Sequence, residues 1–241
     1  MIRHVLFDLD GTLIDTWRLY MEAYRLTFEE FYGRPFQHTE TLTLLALRPR
    51  SETWLLQKVL GRSMSSDRRE GIDAFTCFVN HYRRLHDSHF DGVYHGVVDM
   101  LGTLRTAGYR LGLVTGKSRA AWTITESKAA LVPFDIVVTE TEILQPKPDP
   151  EGILAAAAAL NATHGDTIYV GDSLLDGEAA AAAGFPFWAA AWAKGPGEAY
   201  DFARDAEAQG AAHILHSPTQ LLTTLRAGAD PTVEQGTATS R

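Results

Sequence analysis

Two rhythms of apolar residues divide the chain. A short apolar run over residues 2–7 opens it and predicts a buried strand. Over Trp17–Tyr32 and residues 40–47, 51–60 and 67–89, apolar and aromatic positions recur at spacings of three and four. Each stretch predicts an amphipathic helix, with Gly33, Pro35, Pro49 and Gly61 as the breaks. Beyond Tyr94 the pattern changes to helix and strand in alternation. Helical stretches over residues 97–107, after Lys117, over residues 150–160 and over Leu174–Ala183 precede the compact apolar runs "YRLGLVT", "FDIVVT", "TIYVGD" and "FPFWAAA". A weaker unit follows, with a helix over 198–209, the run "AHIL" and a last helix over 218–226.

Short apolar strands separated by helices of this length build a parallel sheet covered on both faces. The expected fold class is therefore α/β, a Rossmann-like doubly wound sheet interrupted after its first strand by an all-helical insert. Residues 1–15 and 91–227 would form the α/β domain and residues 16–90 the insert. The tail over 228–241, "GADPTVEQGTATSR", is polar and aperiodic, and is expected to be disordered.

The polar residues gain meaning from this layout. Active groups in open parallel sheets gather at the carboxyl ends of the strands, and four strand ends here carry polar chemistry. "FDLDGTLID" crowds Asp8, Asp10 and Asp15 together; "LVTGK" ends in Thr115, Gly116 and Lys117; "LQPKPDP" holds Lys147 between prolines; "IYVGDSLLD" offers Gly171, Asp172, Ser173 and Asp176. Carboxylates gathered without counter-charge resist ionising, so the cluster asks for a cation. Asp8 and Asp10 are two apart and project to the same side, so one can attack while the other manages protons. Asp172 and Asp176 offer the hard oxygen donors that suit Mg2+. The Thr115 hydroxyl and the Gly116 amide can hold phosphate oxygens at a helix start, while Lys147 supplies positive charge.

Composition narrows the partners. The chain has 241 residues and a formal net charge of -8, with no run of Lys and Arg to neutralise successive phosphates, which disfavours nucleic acid. Cys77 is the single cysteine and reads as a buried helix residue, which suits a cytoplasmic location, as does the passage of "MIRH" straight into a strand without a leader. The apolar stretch "AAAAAGFPFWAAAWA" is short and broken by Gly184 and Pro186, so no membrane span is expected. The Ala runs read as helices with small faces that pack closely on the sheet.

The ordered set "DLDGTLID", "VTGK", "KPDP" and "VGDSLLD" resembles the haloacid dehalogenase superfamily of aspartate-nucleophile phosphatases, and its spacing is similar to the phosphoglycolate phosphatase and pyrophosphatase branch. The resemblance implies a haloacid dehalogenase-like core with the helical insert as a cap. It implies catalytic roles for Asp8 as nucleophile, Asp10 as acid and base, and Thr115 and Lys147 on the phosphate. Asp8, the Asp10 carbonyl, Asp172 and Asp176 would hold Mg2+, directly or through water, and Gly116 would bind substrate.

Lys117, Arg48 and Arg50 are the remaining substrate-binding candidates. The last two lie in "LALRPRSETW" with Trp54, where relatives carry a substrate-selecting loop. The bland alternatives are a solvated Lys117, Ser51 as an N-cap and Trp54 in the core of the insert. Asp15 is expected to cap the first insert helix and Ser173 to start a helix; His86 and His89 share a helix face and read as surface residues. The branch usually carries T-N-K where this chain has Thr115, Gly116 and Lys117. The implied activity is a Mg2+-dependent phosphatase acting on a small phosphorylated metabolite, with phosphoglycolate leading, by a monomer or homodimer. Its alternatives are an inorganic pyrophosphatase, a phosphomutase of the beta-phosphoglucomutase type, which Thr12 disfavours, and a binding module with a retired site. Asp10 argues against dehalogenation, since dehalogenase members lack that second aspartate.

Overall fold

The computed structural model describes residues 1–37, 39–41, 50–60 and 74–228. Strand β1 (His4–Phe7) is buried at every position, as the central strand of a sheet covered on both faces must be. The chain then turns through Leu9 and Leu13 into a two-residue strand, β2 (Ile14–Asp15), and leaves for the insert. The insert comprises α1 (Trp17–Tyr32), α2 (Glu52–Leu60) and α3 (Ala74–His89), after which β3 (Gly92–Val93) returns. Strands β2 and β3 pair antiparallel, with Ile14 opposite Val93 and Asp15 opposite Gly92, so the exit and re-entry of the insert are stitched together.

The alternating half follows as α4 (Val97–Thr106), β4 (Arg110–Val114), α5 (Arg119–Ala129), β5 (Ile136–Val138), α6 (Glu151–Leu160), β6 (Thr167–Gly171), α7 (Leu174–Ala183), β7 (Phe187–Ala190), α8 (Pro196–Ala208), β8 (His213–Leu215) and α9 (Pro218–Ala227). Six strands form one parallel sheet in the order β5-β4-β1-β6-β7-β8. Its register sets Phe7 level with both Leu113 and Val170. The residues just beyond those positions therefore emerge side by side, and they include Asp8, Thr115 and Asp172.

Alternation along the strands sorts the core into two layers. Val5, Phe7, Leu111, Leu113, Ile168 and Val170 face α4 and α9, meeting Leu101, Leu104 and Leu221. Leu6, Val114 and Tyr169 face α6 and α7, where Ala156, Ala157, Ala179, Ala180 and Ala183 are buried, so the alanine runs do form close-packed helix faces. In the insert, Leu19, Tyr24, Phe28, Leu56, Phe78 and Tyr82 build a third core that also takes in Ala121 and Ile124 of α5. Tyr24 stacks on Phe78 with ring centroids 4.6 Å apart. The insert is thus seated on the sheet domain through an apolar seam. Among the described residues no helix is long and apolar enough to cross a membrane.

Some local expectations change. The ribbon of β2 and β3 is too short to leave any periodic signal. His86, expected at the surface, is only 1% exposed and sits between Tyr82 and Phe90, with burial pushing its pKa down to about 4. Cys77 is buried as expected, its thiol donating to Glu30 at 3.1 Å. Most of the helix expected over 40–47, Arg48, and the tail beyond Gly228 lie outside the described residues.

Candidate active site

The end of β1 places Asp8 against its neighbours: the Asp8 amide donates to the Val170 carbonyl at 2.9 Å. Lys147 reaches it from the loop before α6, its Nζ lying 2.7 Å from Asp8 Oδ1 and 2.6 Å from Asp176 Oδ1. Burial raises the Asp8 pKa well above the usual carboxylate range; Lys147 pulls it down, and Asp176 and Asp172 push it up again. Burial alone would lower the pKa of Lys147, but Asp176 and Asp8 outweigh it and hold the ammonium firmly protonated.

Asp176 is fully buried and saturated. Its Oδ1 accepts from Lys147 and from the Tyr169 hydroxyl at 3.1 Å, and its Oδ2 accepts from the Ser173 amide at 3.0 Å and the Ser173 hydroxyl at 2.6 Å. Ser173 in turn accepts from the Asp176 amide, completing a capping box that starts α7. Asp172 accepts from Thr12 Oγ1 at 3.2 Å and from Lys194 Nζ at 3.0 Å; burial raises its pKa and Lys194 opposes the rise. Gly11, at φ 83°, lets the backbone pass here: a Cβ on it would fall inside the Asp172 carboxylate. One oxygen each of Asp8, Asp172 and Asp176 lies within 4.8 Å of the others.

Asp10 is held differently. Its Oδ1 accepts from Thr16 Oγ1 at 2.5 Å and lies 3.1 Å from Lys117 Nζ, while Thr115 Oγ1 approaches Oδ2 at 3.5 Å. Thr115 also accepts from the Lys117 amide at 3.1 Å. Asp15, beside the insert, accepts from the Trp17 amide at 3.1 Å, the helix-starting role expected of it. Lys117 is not solvated. Its side chain is 0% exposed, and Nζ donates to Tyr20 Oη at 2.7 Å and Tyr82 Oη at 3.0 Å.

Gly116 lines the cavity, and its carbonyl accepts from the Glu52 amide at 3.2 Å. A Cβ on Gly116 would lie 2.6 Å from the Arg50 carbonyl oxygen and 3.3 Å from Ser51 Cα. The asparagine usual at this position in the branch has no room, because the backbone entering α2 fills its place. Ser51 accepts from the Trp54 amide at 3.3 Å as an N-cap, and Trp54 packs against the insert core with the Arg50 guanidinium 5.5 Å from its ring centroid. Arg50 itself lines the cavity.

The cavity, about 630 Å³, opens between the strand ends and the insert. Asp8, Asp172 and Lys147 form its floor, Asp10 lies where the floor meets the insert, and Tyr20, Tyr24 and Leu55 of the insert make the wall, with Lys194 at the edge. Glu52, Tyr20, Tyr82 and Lys194 are the polar groups of this region that the sequence patterns did not single out. Glu52 is buried, accepting from Tyr20 Oη at 2.5 Å and from the Ser118 amide at 3.1 Å; burial pushes its pKa up to about 7 against the pull of Lys117. Lys194 follows the end of β7, and the strand-end argument applied there would have found it. The arrangement combines a carboxylate fixed on an ammonium, a second carboxylate partly open to the cavity, and a group of oxygens suited to a divalent cation.

Residues 5–190 match the model of a family described as haloacid dehalogenase-like hydrolase. Pyrophosphatase PpaX of Bacillus velezensis is 33% identical over 194 residues, which cover 78% of this chain and 82% of that protein. The plasmid phosphoglycolate phosphatase of Cupriavidus necator is 33% identical over 183 residues, covering 76% of this chain and 78% of that protein. A solved Thermotoga maritima structure assigned as a beta-phosphoglucomutase superposes with a TM-score of 0.67 at 25% identity, covering 94% of this chain and 99% of that one.

Proposed function

The chain belongs to the haloacid dehalogenase-like hydrolase family, and from that premise we propose that it is a Mg2+-dependent cytoplasmic phosphatase acting on a small phosphorylated metabolite through an aspartyl-phosphate. The observation that carries the reading is the division between two neighbouring carboxylates. Asp8 is held on Lys147, which favours the ionised form a nucleophile needs, while Asp10 is held by hydroxyls and a second lysine with its side chain 27% exposed.

In the first step an Asp8 oxygen attacks phosphorus while the Asp10 carboxyl gives its proton to the leaving oxygen, whose bond to phosphorus breaks. In the second, the Asp10 carboxylate takes a proton from water as the water oxygen attacks phosphorus. The bond from Asp8 to phosphorus then breaks, releasing phosphate and restoring both groups. The Gly116 amide and the Thr115 hydroxyl would receive phosphoryl oxygens, with Lys147 offsetting their charge. The helical insert would act as a cap that excludes water.

The floor fits Mg2+. Its donors are hard oxygens, and three carboxylates face the two ammoniums of Lys147 and Lys194, with Asp8 and Asp172 both raised by burial. Asp8, the Asp10 carbonyl and Asp172 would hold the ion, and Asp176, whose oxygens are already engaged by Lys147, Tyr169 and Ser173, would reach it through water. Bound there, the ion would neutralise charge developing on the transferred phosphoryl group.

Phosphoglycolate leads as substrate and pyrophosphate follows, since relatives of both names match over most of the chain. Both substrates carry a second anionic group, which Arg50 and Lys194, both lining the cavity, would meet. The test is phosphate release from a panel of small phosphate compounds with Mg2+ and with chelator, in the natural chain and in Asp8→Asn. Release concentrated on one compound, lost with chelator and reduced by about 10⁴-fold or more in Asp8→Asn with the fold intact, is expected. Full activity in Asp8→Asn would remove the nucleophile. Turnover only with a bisphosphate primer would move the chain to the mutase reading.

A further inference from the structure

Lys117 occupies a sequence position that suggests a substrate ligand, but its surroundings leave it no donor for one. An ammonium has three N–H bonds. Two are directed to Tyr20 Oη at 2.7 Å and Tyr82 Oη at 3.0 Å, and the third faces Asp10 Oδ1 at 3.1 Å. The two tyrosine rings also cover it, with centroids 4.2 Å and 4.8 Å from Nζ. Tyr20 and Tyr82 belong to α1 and α3 of the insert, whereas Lys117 and Asp10 belong to the sheet domain.

The hydroxyls are themselves fixed. Tyr20 Oη donates to Glu52 Oε1 at 2.5 Å, and Tyr82 Oη pairs with Thr125 Oγ1 of α5 at 2.8 Å. Both of the tyrosines that hold Lys117 are thereby anchored to other elements. On the far side, Asp10 Oδ1 is taken by Lys117 and Thr16, while Oδ2 has the long 3.5 Å approach from Thr115. A contact of that length is weak, so Oδ2 is the oxygen left to exchange a proton.

We propose that Lys117 is a positioning residue for Asp10, pinning Oδ1 so that Oδ2 performs the proton transfers, and that the Tyr20 and Tyr82 hydroxyls make this pinning depend on the insert being seated. The inference rests on the acid and base role of Asp10 proposed above. It separates Lys117 from Lys147, which serves the nucleophile, and it assigns Tyr20 and Tyr82 to support of acid–base chemistry rather than to substrate contact.

The experiment compares Lys117→Met and Tyr82→Phe with the natural chain and with Asp10→Asn. The substrates are the favoured compound of the panel and 4-nitrophenyl phosphate, whose leaving group departs without protonation. For Lys117→Met the expected result is a fall in kcat of about 10²-fold or more on the favoured compound with KM changed by less than about threefold. With 4-nitrophenyl phosphate, a burst of nitrophenolate matching the enzyme concentration is expected, because Asp8 is still phosphorylated while hydrolysis, which needs Asp10 as base, is slowed. Tyr82→Phe keeps the lysine and removes one hydroxyl, so it should fold and show the same signature at a few-fold amplitude.

A rise in KM of about tenfold or more with kcat retained would make Lys117 a substrate ligand and overturn the proposal. Equal losses on both compounds without a burst, in both variants, would reduce it to a structural lysine. If Asp10→Asn turns over normally, the role of Asp10 falls and takes this inference with it. If Asp10→Asn is impaired and both other variants are normal, only the inference about Lys117 falls.

Discussion

The floor of the cavity and the seam beneath the insert pose the same electrostatic problem and solve it differently. At the floor, Asp8, Asp172 and Asp176 face the ammoniums of Lys147 and Lys194. At the seam, Asp10 and the nearby Glu52 share the single ammonium of Lys117, which reaches Asp10 directly and Glu52 through Tyr20. Apart from the exposed Glu198, which Lys194 meets at 3.7 Å, each region holds one carboxylate more than its lysines can neutralise. The floor opens on the cavity, so a divalent cation can enter and offset the excess. The seam is closed to solvent at Lys117 and Glu52, so the cheapest remedy there is a proton, and burial raises Glu52 to about 7 accordingly.

The largest test removes the floor's central cation. Lys147→Met leaves Asp8 and Asp176 buried beside each other without their shared partner, and a loss of about 3–5 kcal/mol of stability is expected in denaturant unfolding. Added Mg2+ or a second change, Asp8→Asn, should restore part of that loss. Neither should restore Lys117→Met, because the cation lost there is at the seam. If Mg2+ rescued both variants equally, the separation of the two regions would fail.

The seam carries the pH signature. The folded-state pKa of Glu52 is raised to about 7, against roughly 4.3 for an unfolded glutamate. Its contribution is therefore fully present below about pH 4 and is lost as pH rises through 7, amounting to about 4 kcal/mol over that window. The natural chain should lose stability relative to Glu52→Gln between pH 5 and pH 8. A difference between the two that stays flat across this range would mean that Glu52 ionises in the folded chain as it does in water.

The floor should answer to metal instead. At a free Mg2+ concentration of one hundred times its Kd, a site specific to the folded chain stabilises it by about 2.7 kcal/mol. Calorimetry should show that rise in Tm for the natural chain and for Lys117→Met, and a much smaller one for Asp172→Asn. An unchanged Tm in the natural chain at saturating Mg2+ would remove the ion from the floor.

The same contrast governs what could be read from the sequence. The carboxylates of the floor were legible because each ends an apolar run or follows one closely, and register in a parallel sheet brings such ends together; Lys194, four residues beyond the end of β7, was passed over. Helices Trp17–Tyr32 and Leu174–Ala183 were legible to their bounds because each has a capping or breaking residue at its edge, Gly33 and Gly184 among them. The seam was legible only in part: Asp10 and Lys117 stood out at their strand ends, but Glu52, Tyr20 and Tyr82 did not. Glu52 begins a helix, where an acidic residue normally faces water and the helix dipole, and its burial comes from Tyr20 and from Ser118, 66 positions further on. Lys117, expected to touch substrate or to be solvated, gives no local sign that Tyr20 and Tyr82 cover it. Local pattern reports which groups end a strand, whereas the docking of two apolar faces decides which surface charges become buried.

Gly116 offers the smallest perturbation and the finest division between the two regions, since it touches both. It lines the cavity, yet its Cα lies against the backbone of Arg50 and Ser51, and its carbonyl accepts from the Glu52 amide at 3.2 Å. Thr53 is held in turn by Glu140, its hydroxyl donating to Oε1 at 2.7 Å, so the start of α2 has little freedom to retreat. In Gly116→Ala the added carbon meets the Arg50 carbonyl oxygen and must push this start away from the sheet domain, at a cost of about 1–3 kcal/mol. Displacement in that direction draws Glu52 from the Ser118 amide and loosens Tyr20 over Lys117, while Asp8, Lys147 and Asp172 keep their partners. The variant should therefore lose kcat more than it raises KM, and its Mg2+-induced rise in Tm should match that of the natural chain. A lost Mg2+ response with kcat preserved would reverse the assignment and place Gly116 with the floor.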